Sequence, residues 1–540
     1  MKTVMSRDTT LGGLAKVVLR PFAVVMIWVC CGFATVAPAA DGLEAAAAIE
    51  DAFVSIIEKV EPSVVAISRE RVPANQPEVL RGPWNPRRGR LPFMEERAAE
   101  SLDPVDPMFA PNEFGAGVII DEAGLILTNY HLVQGSRIAG RGENRGDQRL
   151  FVRLFDRRVF EAEIKAADAR SDLAVLQLIS TGQPPVAGLP VVKFGPTTPM
   201  KKGQFVIALG NPYAIARDGS ASASWGIISN ISRRLPQERD TSPLERQQKE
   251  MLYHLGVLLQ VDTRLELGTS GGALLNLKGE LIGLTTSLAA LSGYEKSAGF
   301  AIRLDEPMLR VIESLRQGKE VEYGLLGVMP EDVQVALDPQ LRNQSNRIAQ
   351  GGAARVKNEP EHFLPAYNRL SAGDLILRIN GQPILSRTDL MRVIGLAGPM
   401  AKVHVDVFRP SEQREIKTEI TLGKWPVVDE EGVIASRPTW EPWRGMTFDY
   451  SSARWRAFER IKQKKQLFES ILVRDVRPDS PTDRAKLQKE DHITHVAGAA
   501  VKNPQEFLER VRGLDGPVQL QVWSESTGRG VSREITIPAR

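Results

Sequence analysis

Apolar residues along this chain fall in short Val/Ile/Leu-rich runs bounded by Gly, Pro, Asn and Asp. Runs of that length and content predict strands, not a bundle of long helices. From Gly115 to Ile302 they recur between turn signals, as in a sandwich or a barrel. Ala45 to Val60 differs. There Ala52, Phe53, Ile56, Ile57 and Val60 share one helical face, so the spacing predicts an amphipathic helix, followed by a strand in "SVVAI". Two segments break the strand pattern: the long, charged, proline-punctuated loop 69–111 and the polar insertion 233–249.

Beyond Gly318 the texture changes. Segments 323–424 and 440–538 share an order of features: a glycine-containing loop ("YGLLGV", then "WRGMTF"), a strand and loop, a strand-turn motif ("GDLILRING", then "EDHITHVAG"), a helix ("RTDLMRVIG", then "NPQEFLERVRG") and a closing strand. Each is the size of a small domain, and the stretch 425–439 between them reads as a linker. Inside the second repeat, 454–465 ("RWRAFERIKQKK") reads as a basic, solvated helix face.

Composition changes this picture in one place. At 540 residues, 42% hydrophobic and 25% charged, the chain has the profile of a soluble protein of several domains. Its first forty residues stand apart: Lys2, Arg7, Lys16 and Arg20 precede an uncharged apolar run from Pro21 to Ala40 that ends in "VAPAAD". That is the order of an export signal cleaved near Ala39, with an uncleaved membrane anchor as the competing reading. Without residues 1–39 the basic and acidic residues are equal in number, so no nucleic-acid footprint remains. Cys30 and Cys31 lie in the same segment, and the remainder has no cysteine for a disulfide or a thiolate metal site.

The candidate chemistry begins in "LGTSGGALLNLKGELIGL", 267–284, where Ser270 stands among Gly268, Gly271 and Gly272 ahead of a predicted hairpin. Three clustered glycines mark a tight turn or a close backbone approach. A serine nucleophile needs a base. Of the six histidines, four lie in the C-terminal repeats (362, 404, 492, 495) and His254 follows the polar insertion, so elimination favours His131 at a strand end in "GLILTNYHLVQG". A buried carboxylate should orient that imidazole. Asp172 opens the apolar strand "DLAVLQL", and Asp168 is the nearby alternative. The order His131, Asp172, Ser270 matches the chymotrypsin order of triad residues.

Taken together, "TNYHLV", "SDLAVLQL", "ALGNPY", "SWGIIS", "QVDTRLELGTSGGALLNLKGELIGLTT" and "GFAI" resemble, in order, the motifs of the HtrA/Deg family of trypsin-like serine proteases. The downstream repeats resemble that family's PDZ domains. The resemblance implies a mainly β, chymotrypsin-like double β-barrel protease domain over 48–315 and two PDZ-like α+β domains over 323–424 and 440–538, the second divergent. It implies catalysis by His131, Asp172 and Ser270 with no cofactor or metal, and an oxyanion hole at Gly268, Thr269 and Ser270 formed by the backbone N–H groups of Gly268 and Ser270. It implies a substrate pocket near Arg264, Leu265 and Thr286. Arg264 and Glu266 replace the family's usual small and amide residues there, either as a solvated pair or as part of the pocket. Thr269 stands where asparagine is common, and Ala273 where proline often stands.

The PDZ resemblance implies capture of C-terminal peptides by the loops Gly324, Leu325, Leu326, Gly327 and Arg444, Gly445, Met446. Glu490 replaces a motif glycine in the second repeat, which puts its binding in question. His492 and His495, three apart on a strand, should face opposite sides, against a metal pair. The expected function is an exported, ATP-independent endoprotease of unfolded proteins, periplasmic and working as a homotrimer or a multiple of trimers, without nucleic acid. A catalytically silent PDZ scaffold and a membrane-anchored regulatory protease held through residues 21–40 are the alternatives.

Overall fold

The computed structural model of the chain describes residues 42–71, 113–134, 148–180, 186–196, 200–211, 219–233, 258–266, 268–286, 299–334, 352–362, 364–427, 432–454, 469–526 and 529–539. The export-signal segment, nearly all of the 69–111 loop, the 233–249 insertion beyond Arg233 and the basic stretch after Arg454 lie outside them.

Helix α1 (Gly42–Val60) buries Phe53, Ile56 and Val60, the face that its spacing predicts. Six antiparallel strands follow: β1 (Val64–Arg71), β2 (Glu113–Asp121), β3 (Leu125–Asn129), β4 (Gln148–Arg153), β5 (Val159–Asp168) and β6 (Leu173–Ile179). Their order is β5-β4-β1-β2-β3-β6, and pairing of β5 with β6 closes the ring. Along β5 buried and partly exposed residues alternate from Val159 to Ile164, the period-2 mark of a wall with one face inward. A second ring follows. Short β7 (Lys193–Phe194) runs parallel to one strand of a barrel made by β8 (Phe205–Gly210), β9 (Ser222–Arg233), β10 (Leu258–Val261), β11 (Ala273–Leu275), β12 (Glu280–Thr286) and β13 (Gly299–Arg303), ordered β11-β8-β9-β10-β13-β12 and closed by β11 with β12. The predicted hairpin of 273–286 is this last pair.

Each barrel has its own core: Ile119, Ile126, Phe160 and Leu176 in the first, Val206, Leu259 and Leu274 in the second. A third cluster joins them, in which Val118, Leu127 and Leu173 meet Leu209, Leu275 and Leu284 with Phe53, Ile56 and Val60 from α1. Burying each large side chain contributes about 1.5–3 kcal/mol, so the seam between barrels is held as firmly as either interior. Helix α2 (Glu306–Arg316), capped by Asp305 on Met308 N and started by Pro307, buries Met308, Val311, Ile312 and Leu315 and lies along β5 and β6. It carries the chain from the second barrel back over the first.

The two C-terminal repeats share one topology. In the first, β14 (Gly324–Leu325) precedes β15 (Pro330–Gln334), β16 (Gly352–Val356), β17 (Leu375–Ile379), β18 (Gln382–Pro383), α3 (Arg387–Ala397), β19 (Lys402–Arg409), β20 (Arg414–Thr421) and β21 (Gly423–Lys424). The sheet order is β15-β16-β17-β19-β20, with β18 on β17 and a separate β14-β21 pair. Next comes β22 (Val433–Ala435), within the stretch that reads as a linker. It pairs with β5, Val433 opposite Asp168 and Ala435 opposite Ala166, and Ile434 joins the first barrel's core. In place of a free linker the segment is an added barrel strand. Three residues are too few to announce a strand by periodicity.

The second repeat contains β23 (Met446–Tyr450), β24 (Ile471–Val476), α4 (Pro481–Arg484), β25 (His492–Val496), β26 (Ala499–Ala500), α5 (Pro504–Val511), β27 (Val518–Ser526) and β28 (Arg529–Ile537), ordered β23-β24-β25-β27-β28 with β26 on β25. Helices α3 and α5 occupy matching places and both begin on a side-chain cap, Ser386 and Asn503.

Candidate active site

His131 sits in a single 3-10 turn, Tyr130–Leu132, where β3 leaves the first barrel. Asp172 ends the corner between β5 and β6 at φ +56°, a left-handed conformation that aspartate tolerates better than most residues. The two are locked together through backbone and side chain. Tyr130 N donates to Asp172 O at 3.1 Å, Asn129 Nδ2 to the same oxygen at 3.2 Å, and His131 N to Asp172 Oδ1 at 3.1 Å. His131 Nδ1 lies 3.0 Å from both Asp172 oxygens, so the ring's Nδ1–H is engaged and Nε2 is left for a substrate-side proton. Burial draws the His131 pKa down, but the charge and hydrogen bond of Asp172 outweigh it, against a small opposing effect from Arg69. The net shift is upward from 6.5.

Asp168, the alternative carboxylate, serves other partners. Its Oδ2 accepts from Ser171 N at 3.1 Å, Ser171 Oγ at 2.9 Å and Tyr323 OH at 2.6 Å, and its Oδ1 from Arg170 Nε at 2.6 Å. Of the two candidates, only Asp172 meets the histidine.

Ser270 lies in the glycine turn before β11 and is nearly covered, 1% exposed. The glycines are there because nothing larger fits. At Gly268 (φ +92°) a Cβ would stand 2.3 Å from Asn211 O, and at Gly271 (φ +81°) one would stand 2.1 Å from Ala116 O and 2.5 Å from Thr128 Oγ1. That second approach, with Ala116 N donating to Ser270 O at 2.8 Å, presses the turn onto β2 and β3, the strand that ends at His131. The loop of the second barrel thereby meets the first at Ala116 of β2 and at Thr128 of β3, three residues before His131. Thr269 N donates to Glu266 O at 3.1 Å, as does Thr269 Oγ1 at 2.7 Å, and Thr269 O accepts from Gly272 N and Thr285 Oγ1. The N–H of Thr269 is thus engaged inside the turn.

Beside Thr269 opens a cavity of about 270 Å³ lined by Ala208, Gly210, Ala223, Ser224, Leu265 and Thr269, with Arg264 and Glu266 at its rim. Arg264 Nε and Glu266 Oε1 pair at 2.8 Å, and the Arg264 side chain is 85% exposed. They pair with each other and also line the cavity, Arg264 exposed and Glu266 largely covered. Thr286 is buried in β12 and is not among the described residues that line the cavity. A larger cavity, about 730 Å³, lies between the two C-terminal repeats and contains none of His131, Asp172 or Ser270. Among the described residues no group of three or more His, Cys, Asp or Glu side chains is arranged to hold a metal ion.

The two predicted peptide loops differ. Gly324 and Leu325 pair with Lys424 and Gly423, and Gly327 takes φ +83°. In the second repeat Met446 N and Trp443 N each donate to the other's carbonyl at 3.0 Å, and the Arg444 guanidinium spans the carbonyls of Leu514, Gly516, Ile537 and Pro538.

Sequence reasoning missed a buried charge cluster behind Asp172. Lys424, fully buried, lies 3.0 Å from Glu320, 2.9 Å from Glu322 and 2.8 Å from Asp449, and Arg454 Nη2 donates to Glu320 at 2.8 Å. These residues come from three separated stretches of chain, and no local motif marks them.

Residues 115–284 match the family model of the trypsin-like peptidase domain. Among curated proteins, the chain is 28% identical over 491 residues to a "Probable periplasmic serine endoprotease DegP-like" of Pseudomonas fluorescens, covering 89% of this chain and 92% of the relative. It is 29% identical to the protein of the same description in Halomonas elongata, over 86% and 88% of the two chains. Among solved structures, an HtrA-type protease, AlgW with tripeptide, aligns over 70% of this chain and 99% of its own at 22% identity and a TM-score of 0.47.

Proposed function

We propose that this chain, which carries a trypsin-like peptidase domain and is a homologue of the DegP-like serine endoproteases, is an exported serine endopeptidase that cuts unfolded proteins with Ser270, His131 and Asp172. One observation carries the assignment of roles: the His131 imidazole is held by both oxygens of Asp172, just past the strand whose Thr128 the Ser270 loop approaches. In this mechanism Ser270 Oγ attacks the scissile carbonyl carbon while its proton passes to His131 Nε2. The N–H groups of Gly268 and Ser270 take the oxyanion, and His131 returns the proton to the leaving amine. Water then repeats the cycle on the acyl-enzyme and frees Ser270. Asp172 keeps the tautomer and stabilises the imidazolium.

The cavity beside Thr269 takes the side chain preceding the cut, and its Ala and Ser walls favour a small one. Peptide termini go to the first C-terminal domain, which keeps the motif glycine that Glu490 replaces in the second. The working unit is a homotrimer. Supporting this is an aromatic cluster on the second barrel next to α1, Phe53, Phe205 and Trp225, with ring centres 5.3–6.1 Å apart and Trp225 60% exposed, a surface suited to a second copy of the chain. Among the described residues no helix is long and apolar enough to cross a membrane, and the apolar run 21–40 lies outside them.

The test is cleavage of reduced and native casein by protein lacking residues 1–39, beside Ser270→Ala. Cleavage of the unfolded substrate by the parent and none by the variant is expected. Equal cleavage by both would overturn the assignment of Ser270, and cleavage by neither would favour a silent binding protein.

A further inference from the structure

Asp172 ends a corner, Asp168–Asp172, whose other members face away from the active site into the C-terminal domains. Asp168 is fully buried and accepts from Ser171, Arg170 and Tyr323. Arg170, itself 5% exposed, donates Nη2–H to Val321 O at 2.7 Å and lies 4.4 Å over the Tyr323 ring. Glu320, next along that segment, is held by Arg454 at 2.8 Å and by Lys424 at 3.0 Å. Lys424 reaches Asp449 at 2.8 Å, and Arg474 lies 3.4 Å from Asp449 and 3.7 Å from Glu320. The other side of the corner is sewn to the added strand: Ala169 N donates to Gly432 O at 2.8 Å, and Val433 sits opposite Asp168.

We infer that Arg170, Asp168 and Tyr323 are positioning residues for Asp172, and that Arg454 and Asp449 of the last C-terminal domain complete their anchorage, so that this domain sets the turnover of the first barrel's active site. The inference rests on the proposed roles of His131, Asp172 and Ser270. Four carboxylates (Asp168, Glu320, Glu322, Asp449) and four cations (Arg170, Lys424, Arg454, Arg474) balance in a cluster that is buried except at Arg474 and Glu322 on its edge. Removing one member leaves a buried charge without its partner, and the strain passes along 320–323, which bonds the corner through Val321 O and Tyr323 OH. Asp172 is sensitive because it sits at a positive φ and must present both oxygens to one nitrogen.

The experiment uses the full chain without residues 1–39 and a short chromogenic peptide, which removes any contribution from peptide capture by the C-terminal domains. Arg454→Met is expected to lower kcat roughly tenfold with KM unchanged. It should also move the rising limb of the pH–rate profile to lower pH, as Asp172 loosens its hold on His131, on which Arg69 also acts. Arg454→Lys should recover part of the loss. Asp168→Asn combined with Arg454→Met should cost less than the product of the single losses. Tyr323→Phe, which removes one hydroxyl, is the variant to use if Arg454→Met does not fold, and it should show the same kcat effect in smaller measure. A lowered melting temperature with unchanged kcat and unchanged pH profile in Arg454→Met, or in Tyr323→Phe where the former does not fold, would overturn the inference. Retained activity in Ser270→Ala would instead overturn the triad on which it rests, so the two failures are distinct.

Discussion

The corner that carries Asp172 and the loop that carries Ser270 solve the same problem by opposite means. The Ser270 loop is held by neutral hydrogen bonds from its own neighbourhood: Glu266 O, Gly272 N, Thr285 Oγ1 and the strand edge at Ala116. The Asp172 corner is held by the buried Asp168–Arg170 pair and by Val321 O, Tyr323 OH and the backbone of 432–433, beyond which Lys424, Asp449 and Arg454 gather around Glu320. The loop draws its bonds from the second barrel and from the facing strand of the first, whereas the corner adds to its local bonds from 129–131 a set of contacts from residues beyond 320. The contrast is between a nucleophile held within the two barrels and a carboxylate whose corner also leans on the C-terminal domains.

The largest expected effect attacks the local side. Ser270→Ala should reduce turnover by about 10⁶ while leaving the fold unchanged, measured as kcat on a peptide substrate beside a thermal melt. An equally large drop in thermal stability would show that the loop is not independent of its nucleophile.

Next comes the global side. Lys424→Met leaves Glu320, Glu322 and Asp449 facing one another without their shared cation and should cost about 3–5 kcal/mol, read by denaturant unfolding. A loss below about 1 kcal/mol would mean that the cluster is not dry. Gly268→Ala returns to the local side. Its Cβ would press on Asn211 O at φ +92°, so the oxyanion donor should shift and kcat fall roughly 10²- to 10³-fold, with little change in KM.

The smallest effect separates the two regions by pH. His131 has its pKa raised by Asp172, so kcat/KM should climb with pH through a midpoint above 6.5, where the neutral imidazole becomes available as base. The stability from that pair runs the other way: it is fully present below about 6.5 and is lost as pH rises through the folded value. Glu320 has the opposite sign. Despite its burial, Lys424, Arg454 and Arg170 hold its carboxyl far below 4.5, so its contribution is present above that value and is lost as pH falls below it. Acid should therefore release the Asp172 corner while the neutral bonds of the Ser270 loop persist. Proteolytic nicking or hydrogen exchange at 166–172 and 266–272, followed from pH 7 to pH 3, checks this, and equal loosening of both would contradict the contrast.

Much of the site was legible because its signals are local. Ser270 among glycines, His131 at a strand end and Asp172 at a strand start each follow from a few adjacent residues, and their order along the chain singles out one arrangement of barrels. The repeats were legible for the same reason, since each carries its loop, strand and helix in fixed succession. Other features were not. The choice between Asp168 and Asp172 turns on which side of one corner a carboxylate faces, and both stand beside the same apolar strand in sequence. Thr286 belongs to a run that could line a pocket, yet it is buried in β12, whose last six residues are all covered.

By itself, then, the sequence determined which residues are candidates for the chemistry and where strands and repeats recur, because periodicity, glycine clusters and capping residues act over a few positions. Tertiary structure alone decided that Val433–Ala435 becomes a strand of the first barrel and that Lys424, fully buried, ties Glu320 to Asp449. A buried ion pair is stable only when its partners converge from several elements at once, and a three-residue strand exists only when an unpaired edge is waiting for it.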